Sequence, residues 1–410
     1  MFRARNRLDA AAALVRGALV PSLLFLLFAC DPDGPTAPAP EPGTPDPAQS
    51  VALRTRTYFI AADPVEWNYA PSGINEITGE PFGEAEQIFV NTGPGIGLRY
   101  EKARYREYTD ATFSELEPIP PEWQHLGILG PVVRAQVGDT IQVVFKNNAD
   151  RPYSFHAHGV FYDKDSEGAP YDDGTSGTDK ADDAVPPGAT HTYTYPVPER
   201  AGPGPDDPSS VLWMYHSHTD EPRDANTGLV GPIIITARGR ARADGRPNDV
   251  DREFVTLFDI FDEKQSALAG KNTEVLVRPG TPDGEGETDD ADEQQDANRF
   301  HSINGYIFGN LPMPRMKQGE HVRWYLVALG GEADLHTPHW HGNTVLSHGT
   351  RRDTIGLLPM GTETVDMVPD APGLWLFHCH IDDHMEAGMM ARYEVLPAPA
   401  ATAHTKQPAR

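Results

Sequence analysis

Only two cysteines, Cys30 and Cys379, occur in 410 residues, so no disulfide framework holds this chain. Positive charge is scarce: 34 Lys and Arg stand against 60 Asp and Glu, a formal net charge of −26. That balance disfavours nucleic acid and anionic membrane surfaces as partners and suits the attraction of cations, with solubility accounting for most of it. Long hydrophobic runs are absent too. The one apolar stretch of note, GALVPSLLFLLFA near the N-terminus, is too short to span a bilayer well, and no long amphipathic helix pattern follows it. The chain has Gly and Pro in plenty and short segments rich in Val, Ile, Tyr and Thr, such as RTRTYFIAA, HTYTYPV and GLVGPIIITA. Short strands punctuated by turn residues predict an all-β protein built of β-sandwiches.

Arg3, Arg5, Arg7 and Arg16 precede the apolar run, and LFAC ends it at Cys30. This ending resembles the lipobox of bacterial lipoproteins, apart from the bulky Phe28. Residues 1–30 therefore read as a lipoprotein-type signal, with Cys30 as the lipid anchor of an exported protein, periplasmic or at the cell surface, ordinary secretion and an uncleaved anchor being the alternatives. Residues 31–50, rich in Pro, form a flexible tether. Two similar units follow, at 51–240 and 250–397. NLPMPRMKQGEHVRWYLVALGGEADLHTPHWHG parallels LGILGPVVRAQVGDTIQVVFKNNADRPYSFHAHG, and GLWLFHCHIDDHMEAGMMARYEV parallels VLWMYHSHTDEPRDANTGLVGPIII, which predicts two copies of one sandwich. The acidic stretch ending in DEQQDANRF reads as an exposed loop, and 398–410 as a disordered tail.

The densest chemistry lies in HCHIDDHMEAGM, from His378 to Met389. Thiolate, imidazole and thioether together are the donor set of a blue copper site. A structural zinc site would call for a closed set, usually with paired cysteines, and Cys379 has no second cysteine near it. On an extended strand Cys379 faces one side while His378 and His380 face the other, which suits a relay between two metal sites. His384 and Met389 are expected on a loop folding back toward Cys379. Three more motifs recur: His156-Ala157-His158-Gly159, His216-Ser217-His218, and the run His336, His339, His341. The four motifs hold ten of the sixteen histidines. Members of a pair at i and i+2 share one strand face, so this pattern is a ligand pattern, where a lone histidine would more often be a core residue.

These motifs resemble the copper-binding segments of multicopper oxidases, and the flanking sequence is similar to the ceruloplasmin/hephaestin branch. The likeness runs through WNYAPSG, LGILGPVVRAQVGDTI and RPYSFHAHG to MYHSHTDEPRDANTGLVGPIII in the first unit. In the second it runs through FHSINGYIFGN and DLHTPHWHG to PGLWLFHCHIDDHMEAGM. The resemblance implies two Greek-key cupredoxin-like domains and four coppers per chain. His336, Cys379, His384 and axial Met389 would hold a type 1 copper. His156 and His339 would hold a type 2 copper, and His158, His216, His218, His341, His378 and His380 a type 3 pair. In the first unit the matching type 1 positions carry Tyr153, Ser217 and Pro222, so only the second unit would hold blue copper.

The implied reaction couples one-electron oxidation of a substrate to four-electron reduction of O2 to water. Asp382 matches a carboxylate that serves proton transfer, and Asp296, His301 and Asp383 match the Fe(II) site of ceruloplasmin-like ferroxidases, with Asp296 standing where the family has Glu. Laccase-like oxidation of phenols, or of Cu(I) or Mn(II), competes with the ferroxidase reading. Nitrite reduction has no use for paired His-x-His motifs, and non-enzymatic copper-binding relatives usually lose ligands that this chain retains. The resemblance also implies a head-to-tail homotrimer with clusters between subunits, a monomer with an intrachain cluster being the alternative.

Overall fold

A computed structural model describes residues 53–84, 86–90, 97–272, 298–331 and 335–398. The expectations for 1–50, for the tail beyond 398 and for Asp296 lie outside the described residues. Burial alternates along strands with one covered face, such as Thr140–Asn147 and Met390–Leu396, whereas Val230–Thr236 and Val322–Ala328 are buried at every position, covered on both faces. Two sandwiches result. In the first, β1 (Thr55–Asn68), β2 (Arg99–Tyr108), β4 (Thr140–Asn147) and β6 (Thr190–Pro196) form one sheet in the order β2-β1-β4-β6. It faces a sheet of β3 (Val133–Gln136), β5 (His156–Ala157), β7 (Ser210–His216) and β8 (Val230–Thr236), ordered β3-β8-β7-β5.

The second sandwich repeats this plan. Strands β9 (Arg252–Asp262), β10 (Arg299–Ile303), β12 (Val322–Ala328) and β16 (Thr362–Met367) run in the order β10-β9-β12-β16. A hairpin of β14 (Val345–Ser347) and β15 (Thr350–Arg352) extends that sheet. The facing sheet takes β11 (Arg315–Lys317), β13 (Pro338–Trp340), β17 (Gly373–Cys379) and β18 (Met390–Leu396), ordered β11-β18-β17-β13. Each half also repeats its parallel pairings, β1 with β4 and β9 with β12, then β3 with β8 and β11 with β18. The internal repeat seen in the sequence is thus a repeat of strand order and polarity.

Each sandwich has its own apolar core, and a third core lies between them, where Trp67, Tyr69 and Tyr100 meet Val255, Phe261 and Phe300. Buried polar links fasten this junction. Lys102 Nζ lies 2.5 Å from Glu263 Oε1 with both side chains fully buried, Tyr69 also donates to Glu263, and Trp67 Nε1 donates to the Gly305 carbonyl at 2.7 Å. Among the described residues the α-helices are short: α1 (Gln87–Val90), α2 (Glu221–Thr227) and α3 (Asp382–Glu386). No helix among the described residues is long and apolar enough to cross a membrane.

Candidate metal centres

Each histidine motif sits at a strand end where two strands are in register. His156 on β5 is opposite His216 on β7, and His339 on β13 is opposite His378 on β17. The repeat therefore builds the same imidazole arrangement twice. The glycine closing each His-x-His-Gly is part of it. Gly159 has φ +75°, and a Cβ there would meet the Trp213 ring at 2.2 Å. Gly342 has φ +72° and would meet Trp375 at 2.5 Å. Only glycine turns left-handed here while lying flat against an indole.

In the first half, donor nitrogens of His156, His158 and His216 lie within 4.8 Å of one another. The His218 ring sits 5.1 Å from His156, with Nε2 turned 3.2 Å toward Glu221. In the second half, His339, His341 and His378 form the matching group, and the His380 ring lies 5.3 Å from His339. Backbone carbonyls orient the rings: Nδ1–H of His156 donates to Glu167 at 2.5 Å, that of His339 to Asp353 at 2.9 Å, and that of His378 to Cys379 at 2.7 Å. Their Nε2 lone pairs are left free for a metal. His158 Nε2 then faces His216 Nε2 at 2.9 Å, and His341 Nε2 faces His378 Nε2 at 3.1 Å. Burial, reinforced by neighbouring imidazoles, brings His158 down to about 3 and His216 and His378 to about 4. Neutral nitrogens pointed at one another at such distances are placed to share a cation.

Cys379 faces the other way, into the second core, where it is fully buried. Donor atoms of His336, Cys379 and His384 lie within 4.8 Å of one another, with Cys379 Sγ 3.6 Å from His384 Nδ1. Both nitrogens of His336 are buried without a hydrogen-bond partner, an orphaned state that a bound metal would relieve. Met389 is also fully buried, and its carbonyl accepts the Cys379 N–H at 3.1 Å. Copper fits this thiol-imidazole-thioether set and the two imidazole groups by donor chemistry. His384 lies in helix α3 rather than on the expected loop. Asp382 and Asp383 favour a helix N-terminus, and the turn through Gly388 (φ +102°) carries the chain from the helix to Met389. Both aspartates are exposed.

His301 on β10 adds a neighbour to this trio. Its ring is 5.0 Å from that of His384, and its buried Nδ1 has no partner. Burial lowers its pKa to about 3, while the Asp383 charge acts in the opposite direction on both His301 and His384.

Among the described residues the two imidazole groups make no ring contact with each other, and ring contacts run inside each group. Sequence reasoning also missed two local devices. Thr337 donates its N–H to Cys379 Sγ at 3.3 Å, and its Oγ1 accepts the His380 N–H at 3.0 Å. In the first half, Ser217 donates to buried Asp224 at 2.7 Å, tying the strand end to α2 where Cys379 and His384 would be tied by metal in the second. The S-x-x-x-x-x-x-D spacing carries no signal of this, because the contact depends on how α2 folds back.

Two models of the multicopper oxidase family match residues 126–240 and 281–399. Human "Ferroxidase HEPHL1" is 46% identical over 349 residues, covering 84% of this chain and 30% of that protein. Human hephaestin is 43% identical over 347 residues (83% and 29%), and sheep ceruloplasmin 43% over 345 (83% and 32%). The chain thus spans about a third of the length of the curated relatives it matches. Among solved structures, a multicopper oxidase crystal structure aligns at a TM-score of 0.50 with 20% identity, covering 84% of this chain and 89% of the other. Multicopper oxidase mgLAC aligns at 0.51 with 19% identity, covering 87% and 90%. At such identities these two speak for the cupredoxin-like fold alone. With the relatives and the paired histidine groups together, the chain belongs to the multicopper oxidases, in the ceruloplasmin/hephaestin family.

Proposed function

We propose that the copper-loaded protein oxidises Fe(II) one electron at a time and reduces O2 to water. The observation that carries this reading is the unpartnered, buried His301 nitrogen beside His384, next to a thiol-imidazole set that suits blue copper. Copper bound there would supply one-electron chemistry and, with the cluster ions, the four-electron storage that O2 requires. His336, Cys379, His384 and Met389 would hold the type 1 ion. His156 and His339 would hold type 2, and His158, His216, His218, His341, His378 and His380 the type 3 pair. His378 and Cys379 are adjacent on β17, a short covalent path between the sites.

His301 offers a neutral nitrogen to a ferrous ion, and Asp383, with Asp296, supplies carboxylate oxygens that such a cation favours. Asp382 would pass protons from solvent, a role its exposure at the start of α3 supports. Each chain carries half of two clusters, and His341 and His380 are exposed. A head-to-tail trimer, in which the first half of one copy meets the second half of the next, would complete each cluster. Export and lipid attachment at Cys30 would place this assembly at a membrane surface, periplasmic or outside the cell.

The test is oxygen consumption by the copper-loaded protein with Fe(II), Cu(I), Mn(II) or a phenol, in wild type, His301→Ala and Asp383→Ala. A fall of about tenfold or more in Fe(II) kcat/KM, with phenol oxidation little changed, is expected for loss of a charged or metal-binding contact. Phenol turnover that dominates in wild type, with Fe(II) rates indifferent to both substitutions, would favour the laccase-like reading.

A further inference from the structure

A cavity of about 520 Å³ opens at the side of the first sandwich, away from every histidine motif in its lining. Its size suits a small molecule. It sits where β2, the outer strand of one sheet, comes beside β3, the outer strand of the other. A strap closes over it, with Glu117 N–H donating to the Glu107 carbonyl at 2.9 Å. Leu116, Ile119, Leu126 and Val132 give the lining an apolar body.

Its charge runs against that of the whole chain. Arg104, Arg106 and Arg134 line the cavity, where Glu107 and Glu117 are the only acidic lining residues, in a protein of formal net charge −26. Arg104 is half-buried, and its Nε and Nη2 both donate to one carbonyl, that of Leu129, at 3.1 and 2.9 Å. No carboxylate pairs with it among the described residues, and burial lowers its pKa. Arg106 reaches Asp63 only at 3.5 Å. Arg134 spends Nη1 on Glu253 at 3.0 Å, while its Nη2 is buried with no partner beside the Trp123 ring, 5.1 Å from the guanidinium carbon. Burial, then the nearby Glu117, pushes the Glu107 carboxyl up to about 7, which weakens the opposing charge further. A half-buried cation without a counter-ion is unfavourable, and an apolar cavity beside it is the place for a ligand that brings one.

We propose that this cavity binds a small organic acid: one carboxylate, met by Arg104 with Arg106 and Arg134 behind it, on an aliphatic or aromatic body that fills the space under the strap. An inorganic anion would leave the apolar wall unused, and a neutral hydrocarbon would leave the arginines unmet.

The proposal is independent of the oxidase reading and is tested by calorimetric titration of the full-length, copper-loaded protein with octanoate, octanol and octylamine. One saturable octanoate site per chain is expected, with octanol about tenfold weaker, as for loss of a charge-assisted hydrogen bond, and octylamine without binding. Arg104→Gln should weaken octanoate about tenfold, Arg106→Gln less, since the Arg106 guanidinium already lies 3.5 Å from Asp63, and Val132→Trp should fill the cavity and abolish binding. Thermal melts identify any variant that fails to fold, and Arg106→Gln then carries the test. Absence of saturable octanoate binding overturns the proposal. So does equal affinity for octanol, or unchanged affinity in folded Arg104→Gln and Arg106→Gln.

Discussion

Replacing Asp224 by Asn should make stability less sensitive to pH, and the size of the effect follows from where that carboxyl sits. Asp224 is 1% exposed. Its Oδ2 accepts Ser217 Oγ–H at 2.7 Å and Asp220 N–H at 3.0 Å. Burial pushes its pKa up to about 6, with these two hydrogen bonds pulling the other way. Against an unfolded value of about 3.9, the difference of about 2 units corresponds to about 3 kcal/mol. Below about pH 3 the group is protonated in both states. As pH rises through 4 to 6 the unfolded chain ionises first, so wild-type stability falls over this window. An amide oxygen can accept both hydrogen bonds and does not titrate. The stability of wild type minus that of Asp224→Asn should therefore fall by about 3 kcal/mol between pH 3 and pH 7, measured by urea unfolding across that range. Other titrating groups, the histidines included, are common to both proteins and cancel in the difference. Asp224→Ala orphans both donors and, relative to Asp224→Asn, should cost about 1–3 kcal/mol for each at every pH. A gap between wild type and Asp224→Asn that stays flat, or moves the other way, would refute the reasoning.

Three further outcomes are expected. Lys102→Met leaves Glu263 buried and uncompensated at the junction of the sandwiches, and should lower stability by about 3–5 kcal/mol in denaturant melts; adding Glu263→Gln should recover much of it. Gly159→Ala or Gly342→Ala combines a left-handed backbone strain of about 1–3 kcal/mol with a clash of similar size against an indole ring, and either should lower both the melting temperature and copper content. His158→Ala and His341→Ala should each abolish oxygen consumption alone, whereas a co-assembled mixture should regain part of it, because some junctions pair two intact halves. A mixture that stays inactive would mean that the clusters are not shared between copies.

The grouping of the histidines, and of Cys379 with His336 and His384, was legible in the sequence because strand geometry is local. An i, i+2 histidine pair or a His-Cys-His run needs only a period of two to declare its faces, and the repeat of 51–240 in 250–397 supplied the plan. Other features depend on where distant segments meet. The carbonyls of Glu167 and Asp353 that set the imidazole tautomers have no side-chain signature. Ser217 and Asp224 find one another only because α2 folds back along β7, as α3 does along β17, where a helix replaced the expected loop. The cavity at Arg104 is made by two sheet edges and a strap, and a single strand reads there as an ordinary alternation. The separation of the two imidazole groups depends on how the sandwiches pack through Tyr69, Phe261 and Phe300, which the motifs do not encode.

The most direct test of the central claim is the visible absorption and copper content of the purified, copper-loaded protein beside Cys379→Ser. Intense visible absorption with about four coppers per chain is predicted for wild type, one for the thiolate site and three for each completed cluster, in keeping with the thiolate-imidazole donor set. The variant should lose the colour and about one copper while keeping the rest. A colourless wild type, or colour that survives Cys379→Ser, would contradict the account.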